Sequence, residues 1–216
     1  MNAATAYAAL FNMSLPAVRN DEVAALLRLS SSATAQLLRR LRQAGLVQPL
    51  MRGAVWIGPG PIEPWLALEV VAWPYPAYAS LYSALYFRGA LSQIPAVHYA
   101  VTLGRAHRVR TGVGTYSLHR VGPELFEGFE TTASSAKIAT LEKALFDLAY
   151  LSATRSRLFA RPPELELPRT LDRAALRKWI GRIRPPEKRA HTRDYLDALL
   201  TAPASRRRSR RPPSRS

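Results

Sequence analysis

Ser32, Ala35, Gln36, Arg39, Arg40 and Gln43 fall on one side of a helical repeat whose other side is Thr34, Leu37, Leu38 and Leu41. The second set recurs at i, i+3, i+4 and i+7, the stripe of a helix buried along one face. The open face carries the chemistry of duplex DNA recognition. Glutamine pairs with adenine and arginine with guanine in the major groove, while further cations hold phosphates. Arg52-Gly53 adds a cation between Leu46-Val47 and Val55-Trp56-Ile57, short β-forming runs that read as a hairpin. Ser31, Ser32, Ala35, Gln36, Arg39, Arg40, Arg42 and Arg52 are therefore the candidate DNA-binding residues. Ser32, Gln36 and Arg39 are assigned to base edges, Arg40 and Arg42 to phosphates, and Arg52 to phosphate or the minor groove. The competing reading of each arginine is a solvated surface charge.

These side chains need elements to aim them. Asn20 is a candidate helix cap, and Asp21 and Glu22 suit the positive end of a helix dipole. Val23, Leu26 and Leu27 give that helix an apolar face. Ser30-Ser31-Ser32 breaks it, and a second helix is expected over Ala33–Ala44, ended by Gly45. A helix over Ala3–Phe11 would pack Tyr7, Leu10 and Phe11 onto the other two. Helices, tight glycine and basic-tipped hairpin together predict a winged helix-turn-helix over 1–58. The same fold used only for protein contacts is the alternative.

Charge distribution agrees with a polyanionic partner. The chain has 31 Lys+Arg against 15 Asp+Glu, for a net charge of +16. Residues 1–60 carry 6 basic and 2 acidic groups, 61–150 carry 7 of each, 151–200 carry 12 and 6, and 201–216 carry 6 Arg and no acid. Basic charge thus gathers at both ends around a middle that sums to zero, as counterion-releasing contact with nucleic acid would favour. Only four of the basic residues are Lys, so compositional bias toward Arg contributes to the excess. Cysteine is absent, which excludes disulfides and thiolate metal sites. No signal-peptide pattern opens the sequence. The apolar run Trp65–Phe87 is interrupted by Glu69, Pro74 and Pro76, so it reads as core and not as a membrane span. A cytoplasmic protein is expected.

Gly58-Pro59-Gly60-Pro61-Ile62-Glu63-Pro64 reads as a stiff linker, assigned to 59–64. Beyond it, Tyr78–Phe87 is expected as a mostly buried helix ending at Gly89. Val97–Thr102 and Tyr116–Val121 are strand-like, with a turn at Gly112 and Gly114. Thr140 is a plausible cap for a helix over Leu141–Tyr150, with Leu141, Leu145 and Leu148 on its apolar face and Glu142 and Lys143 elsewhere. Helices about Asp172–Gly181 and Pro186–Leu200 follow. The Arg-rich tail 201–216 has too little apolar surface to fold and is expected to be disordered.

Enzyme readings find little purchase. His98, His107, His119 and His191 show no metal-ligand spacing, and no nucleophile elbow or nucleotide loop is present. Glu142-Lys143 and Glu187-Lys188 are adjacent pairs on expected helices. They read as exposed helix charges, not as a nuclease site. No catalytic residue, metal or cofactor is assigned.

The second domain resembles that of AbiEi antitoxins, the regulatory halves of AbiE-type (type IV) toxin–antitoxin operons. The resemblance rests on Tyr78–Gly89 followed by Gln93-Ile94-Pro95, on Ile138–Asp147, and on Pro123–Phe129. Leu141 stands where the family usually has Pro. With the winged helix in front, the likeness covers roughly residues 5–152. It implies a non-enzymatic protein whose winged helix represses its own operon at a double-stranded DNA operator. Its second domain would counteract a nucleotidyltransferase-like toxin, with direct toxin binding left open.

The expected architecture is α+β: an N-terminal winged helix-turn-helix, then a mixed α/β antitoxin-like domain with C-terminal helices over 65–200. Two other readings stand beside the antitoxin. One is a ligand-responsive regulator with a pocket lined by Trp73, Tyr82 and Tyr86, and the other is a DNA-processing enzyme.

Overall fold

The computed structural model describes residues 2–153, 158–159, 163–168 and 170–201. The tail beyond Thr201 lies outside the described residues. The chain mixes helices with two sheets, so its class is α+β.

Asn2 caps α1 (Ala3–Phe11), its side-chain oxygen accepting the Ala4 N–H at 2.6 Å. A short strand, β1 (Ala17–Arg19), leads straight into α2 (Asn20–Leu27). Asn20 is the first residue of that helix and not its cap. Arg19 precedes it, and the Glu22 carboxylate accepts the Arg19 N–H at 2.7 Å. This satisfies one of the amides that a helix start leaves free. The next helix, α3, spans Ser31–Gln43, two residues earlier than expected, because the Ser30 hydroxyl accepts the Ala33 N–H and caps it. Serine at this position competes for the backbone as a cap, and the two serines after it are absorbed into the first turn.

The hairpin β2 (Val47–Met51) and β3 (Ala54–Ile57) follows Gly45, and β1 joins its inner strand in the antiparallel order β1-β3-β2. Gly53 takes φ 80°, the left-handed backbone that a two-residue turn at Arg52-Gly53 requires. Ala6, Leu10, Val18, Val23, Leu37, Leu38, Leu41, Val47, Val55 and Ile57 close one core. Phe11 and Leu26, expected to join it, are 65% and 44% exposed. Met13 and Leu27, which follow them in the chain, pack against this core instead.

The second assembly contains α4 (Leu68–Ala72), β4 (Ala77–Ala79), α5 (Leu81–Phe87) and β5 (His98–Thr102). These are followed by β6 (His107–Thr111), β7 (Gly114–Arg120), β8 (Phe129–Thr131) and β9 (Lys137–Ala139). Three helices complete it: α6 (Leu141–Ser152), α7 (Arg173–Gly181) and α8 (Pro186–Thr201). Its six strands form a mixed sheet in the order β6-β7-β5-β4-β9-β8. The segment Tyr78–Phe87 is therefore not one helix. Pro74 and Pro76 remove backbone donors and bias their predecessors toward extended chain. Ala77–Ala79 then pairs with β5 on one side and β9 on the other. Helix begins only after Ser80.

Thr140 caps α6, accepting the Lys143 N–H at 3.2 Å. This helix is the spine of the second core, and α5, α7 and α8 all pack on it. Lys143 does not lie on its open side. Both Lys143 and Asp147, one turn later, have side chains 0% exposed, and their Nζ–Oδ1 distance is 2.6 Å. The other Asp147 oxygen accepts the Tyr78 hydroxyl at 3.0 Å and the Ser80 hydroxyl at 2.8 Å. Burial raises the Asp147 carboxyl above the ordinary aspartate range, against the pull of Lys143, Ser80 and Tyr78. The Tyr78 phenol is pushed well above its usual value by burial and by that carboxylate. The network pins β4 to α6.

No clean gap separates the two assemblies at 59–64. Ala17, Leu50 and Trp56 of the three-stranded sheet belong to the larger core. The Tyr116 hydroxyl donates to the Pro64 carbonyl at 2.7 Å, and the Gly112 N–H donates to the Leu50 carbonyl at 2.7 Å. The proline-glycine segment is a change of element across which side chains remain in contact.

Candidate nucleic-acid interface

The stripe read from sequence is the buried side of α3: Thr34, Leu37, Leu38 and Leu41 are all buried, against α1, α2 and β2. Ser31, Ser32, Ala35, Gln36, Arg39, Arg40, Arg42 and Gln43 are all exposed. At about 1.5 Å rise per residue, Ser32 to Arg39 spans roughly 10 Å, about three base pairs of duplex. The Ser30 and Ser32 hydroxyls lie 3.1 Å apart, so Ser32 spends part of its hydrogen-bonding capacity within the helix start. Arg40 and Arg42 occupy the last turn, where their charges also complement the helix dipole.

Arg52 is exposed in the hairpin turn, next to Gly53. The turn is tied to the start of α2, whose Asn20 N–H donates to the Gly53 carbonyl at 2.9 Å. Hairpin tip and helices are thus held in fixed relation by backbone contacts. Among the described residues, Arg39, Arg40, Arg42 and Arg52 form no ion pair with a carboxylate, whereas Arg19 is paired with Asp21 at 3.1 Å. Cations without an internal partner are available to an external anion. Arg28, overlooked in the sequence, is a further exposed cation: it takes the left-handed conformation at φ 52° in the turn between α2 and α3. Its signal was the need for a tight stop before Ser30.

Other candidates separate in space. Tyr82 packs edge-on against Tyr99 and Phe159 and lines a cavity of about 280 Å³. Trp73 instead lies under the Arg19 guanidinium, 5.5 Å from ring centroid to cation, in a crevice between the two sheets. Tyr86 lines neither cavity, so the aromatic pocket expected from Trp73, Tyr82 and Tyr86 is not assembled. Glu142-Lys143 is split, with Lys143 in the core and Glu142 accepting the Asp172 N–H at 3.1 Å. Lys188 covers the Tyr150 ring at 3.4 Å.

Each histidine has a local partner. His98 faces the Val113 carbonyl, His107 the Arg105 carbonyl, His119 the Ser117 hydroxyl and His191 the Ser152 hydroxyl. Burial, aided by the Arg108 charge, pushes His119 down to about 4. No group of three or more His, Asp or Glu arranged to hold a metal ion occurs among the described residues. No helix among them is long and apolar enough to cross a membrane.

Comparison with known proteins adds no assignment to this geometry: no protein-family model matches the chain, and no curated protein matches it significantly.

Proposed function

We propose that the N-terminal assembly is a winged helix-turn-helix that binds duplex DNA, and that the chain is an operator-binding antitoxin of AbiEi type and not an enzyme. One observation carries the DNA reading: the whole polar face of α3, from Ser31 to Gln43, is exposed beside a rigidly held basic hairpin tip. In this reading α3 enters the major groove. Gln36 and Arg39 read base edges, each contributing about 1–3 kcal/mol of discrimination, and Ala35 offers a methyl to thymine. Ser32 adds a weaker polar contact. Ser31, at the helix start, approaches the backbone. Arg40, Arg42 and Arg52 hold phosphates; three such contacts give a log–log salt slope of about −2.7.

The antitoxin half of the proposal rests on the sequence resemblance and draws support from one spatial fact. Two of the resembling segments meet, with Tyr78 and Ser80 of Tyr78–Gly89 bonded to Asp147 of Ile138–Asp147. The motif residues thereby have a shared physical task. In this reading the second assembly counteracts a nucleotidyltransferase-like toxin encoded alongside.

Selection of duplexes from a random pool tests the DNA half. The wild-type chain should enrich one motif. Arg39→Ala and Gln36→Ala should blur it at single positions, while Arg52→Ala should weaken all sequences alike. Unchanged motifs in both α3 variants would displace α3 from the groove. Rescue of growth on co-expression with a neighbouring nucleotidyltransferase-like gene tests the antitoxin half, and no rescue would remove it.

A further inference from the structure

The six-stranded sheet brings a second basic element to the hairpin of the first sheet. Residues 70–123 contain five Arg and no acidic residue, although 61–150 as a whole is neutral. The acids of this region fall at its flanks, from Glu63 to Glu69 and from Glu124 onward. Three of the five arginines, Arg105, Arg108 and Arg110, lie on or just before β6. All three are exposed, and none forms an ion pair among the described residues. Arg88, by contrast, is tied to Glu130 at 2.8 Å.

Topology places these charges near the proposed DNA surface. β6 is the edge strand of its sheet, and β2 is an edge strand of the other. The turn after β6 meets β2 through the Gly112–Leu50 backbone bond. A Cβ at Gly112 would lie 2.5 Å from the Pro49 carbonyl oxygen, so the contact needs a glycine. Arg110 is two residues from this junction on one side, and Arg52 is two residues from it on the other. At about 3.3 Å per residue, each is within roughly 7 Å of it along the chain. Arg108 and Arg110, two apart, share one face of β6.

We propose that β6 is a second phosphate-binding element, in which Arg108 and Arg110 continue the basic track of Arg52 along the DNA backbone. The inference rests on the DNA-binding reading above, and adds a part of the second assembly to the interface. The ligand is the phosphate backbone of duplex DNA, so the contact carries charge and not sequence. Without a phosphate to bind, the same arginines would serve only to guard an exposed sheet edge against pairing with other chains.

The test is the salt dependence of binding to a duplex of arbitrary sequence, about 30 base pairs long, using the full chain. Each lost phosphate contact flattens the log–log slope by about 0.9. Arg108→Ala/Arg110→Ala should flatten it by about 1.8, with an unchanged melting temperature because both side chains are exposed. Arg108→Lys/Arg110→Lys should restore the slope, since a phosphate needs only the point charge. A wild-type slope retained in the alanine variant, while Arg40→Ala/Arg42→Ala flattens it, would overturn this inference and leave the α3 reading standing. Absence of salt-dependent binding by the wild-type chain would overturn both.

Discussion

The buried pair at the centre of the second core offers a sharp quantitative test. Lys143 and Asp147 are both wholly excluded from solvent. The Lys143 ammonium lies 4.7 Å from the Phe146 ring centroid, 5.5 Å from that of Trp179 and 5.9 Å from that of Tyr78, so aromatic faces surround the rest of the charge. Asp147→Asn would leave the ammonium among those rings without an anion, a loss of about 3–5 kcal/mol. Lys143→Met strands the carboxylate instead, with the Tyr78 and Ser80 hydroxyls as its remaining donors. Replacing both, as Lys143→Met/Asp147→Asn, removes the desolvation of both charges while the amide oxygen still accepts from Tyr78 and Ser80, and should recover part of that loss. Tyr78→Phe deletes one hydrogen bond to a charged group and should cost about 1.5–3 kcal/mol. The assay is urea unfolding. With a slope of about 2 kcal/mol/M, a loss of 4 kcal/mol moves the midpoint by about 2 M. The two single variants and the double variant together form a double-mutant cycle. Singles within about 1 kcal/mol of wild type, or a double no better than the worse single, would refute the reasoning. Should the charge variants fail to fold, Tyr78→Phe and Ser80→Ala report on the same carboxylate more gently.

Three further outcomes are expected. The His119 imidazole is held neutral in the fold, down to about 4 against 6.5 when free, so the unfolded chain binds more protons between those values. Stability should therefore be intact above about pH 6.5 and fall by about 3 kcal/mol as pH drops toward 4. His119→Gln should flatten that part of the pH–stability curve, and an unchanged curve would clear His119 of the effect. Gly112→Val must displace the β6–β7 turn from the Pro49 carbonyl, and should cost about 1–3 kcal/mol by thermal melting. An unaltered melting temperature would mean the two sheets are not held together there. Thr140→Ala removes the cap of α6 and should cost about 1 kcal/mol in urea; no change would place the cap outside the energetics of the helix.

What the sequence disclosed was local. The α3 stripe at Thr34, Leu37, Leu38 and Leu41, the turn at Arg52-Gly53 and the Thr140 cap all depend on neighbours a few residues away, and spacing reveals such features. The β4 strand was hidden because its two alanines suit a helix at least as well as a strand. Its partners, at Ala100 and Ile138, lie far along the chain. Lys143 was misread for the same reason. The i, i+4 spacing to Asp147 is visible, but burial comes from Tyr78 and Trp179, which only tertiary structure brings near. For the candidate interface, the α3 residues and Arg52 were legible as a pattern. Arg105, Arg108 and Arg110 were not, because summing charge over 61–150 cancels the cations on and before the edge strand β6 against acids that fall elsewhere, from Glu63 to Glu69 and from Glu124 onward.

The proposed function has α3 and the Arg52 hairpin bind a specific DNA site. A footprint of the full chain on the region upstream of its own coding sequence, at about 50 mM and about 200 mM salt, tests it most directly. A discrete protected segment should survive at the higher salt and be lost in Gln36→Ala/Arg39→Ala. Diffuse protection that disappears at the higher salt, or a discrete footprint unaltered in that variant, would contradict it.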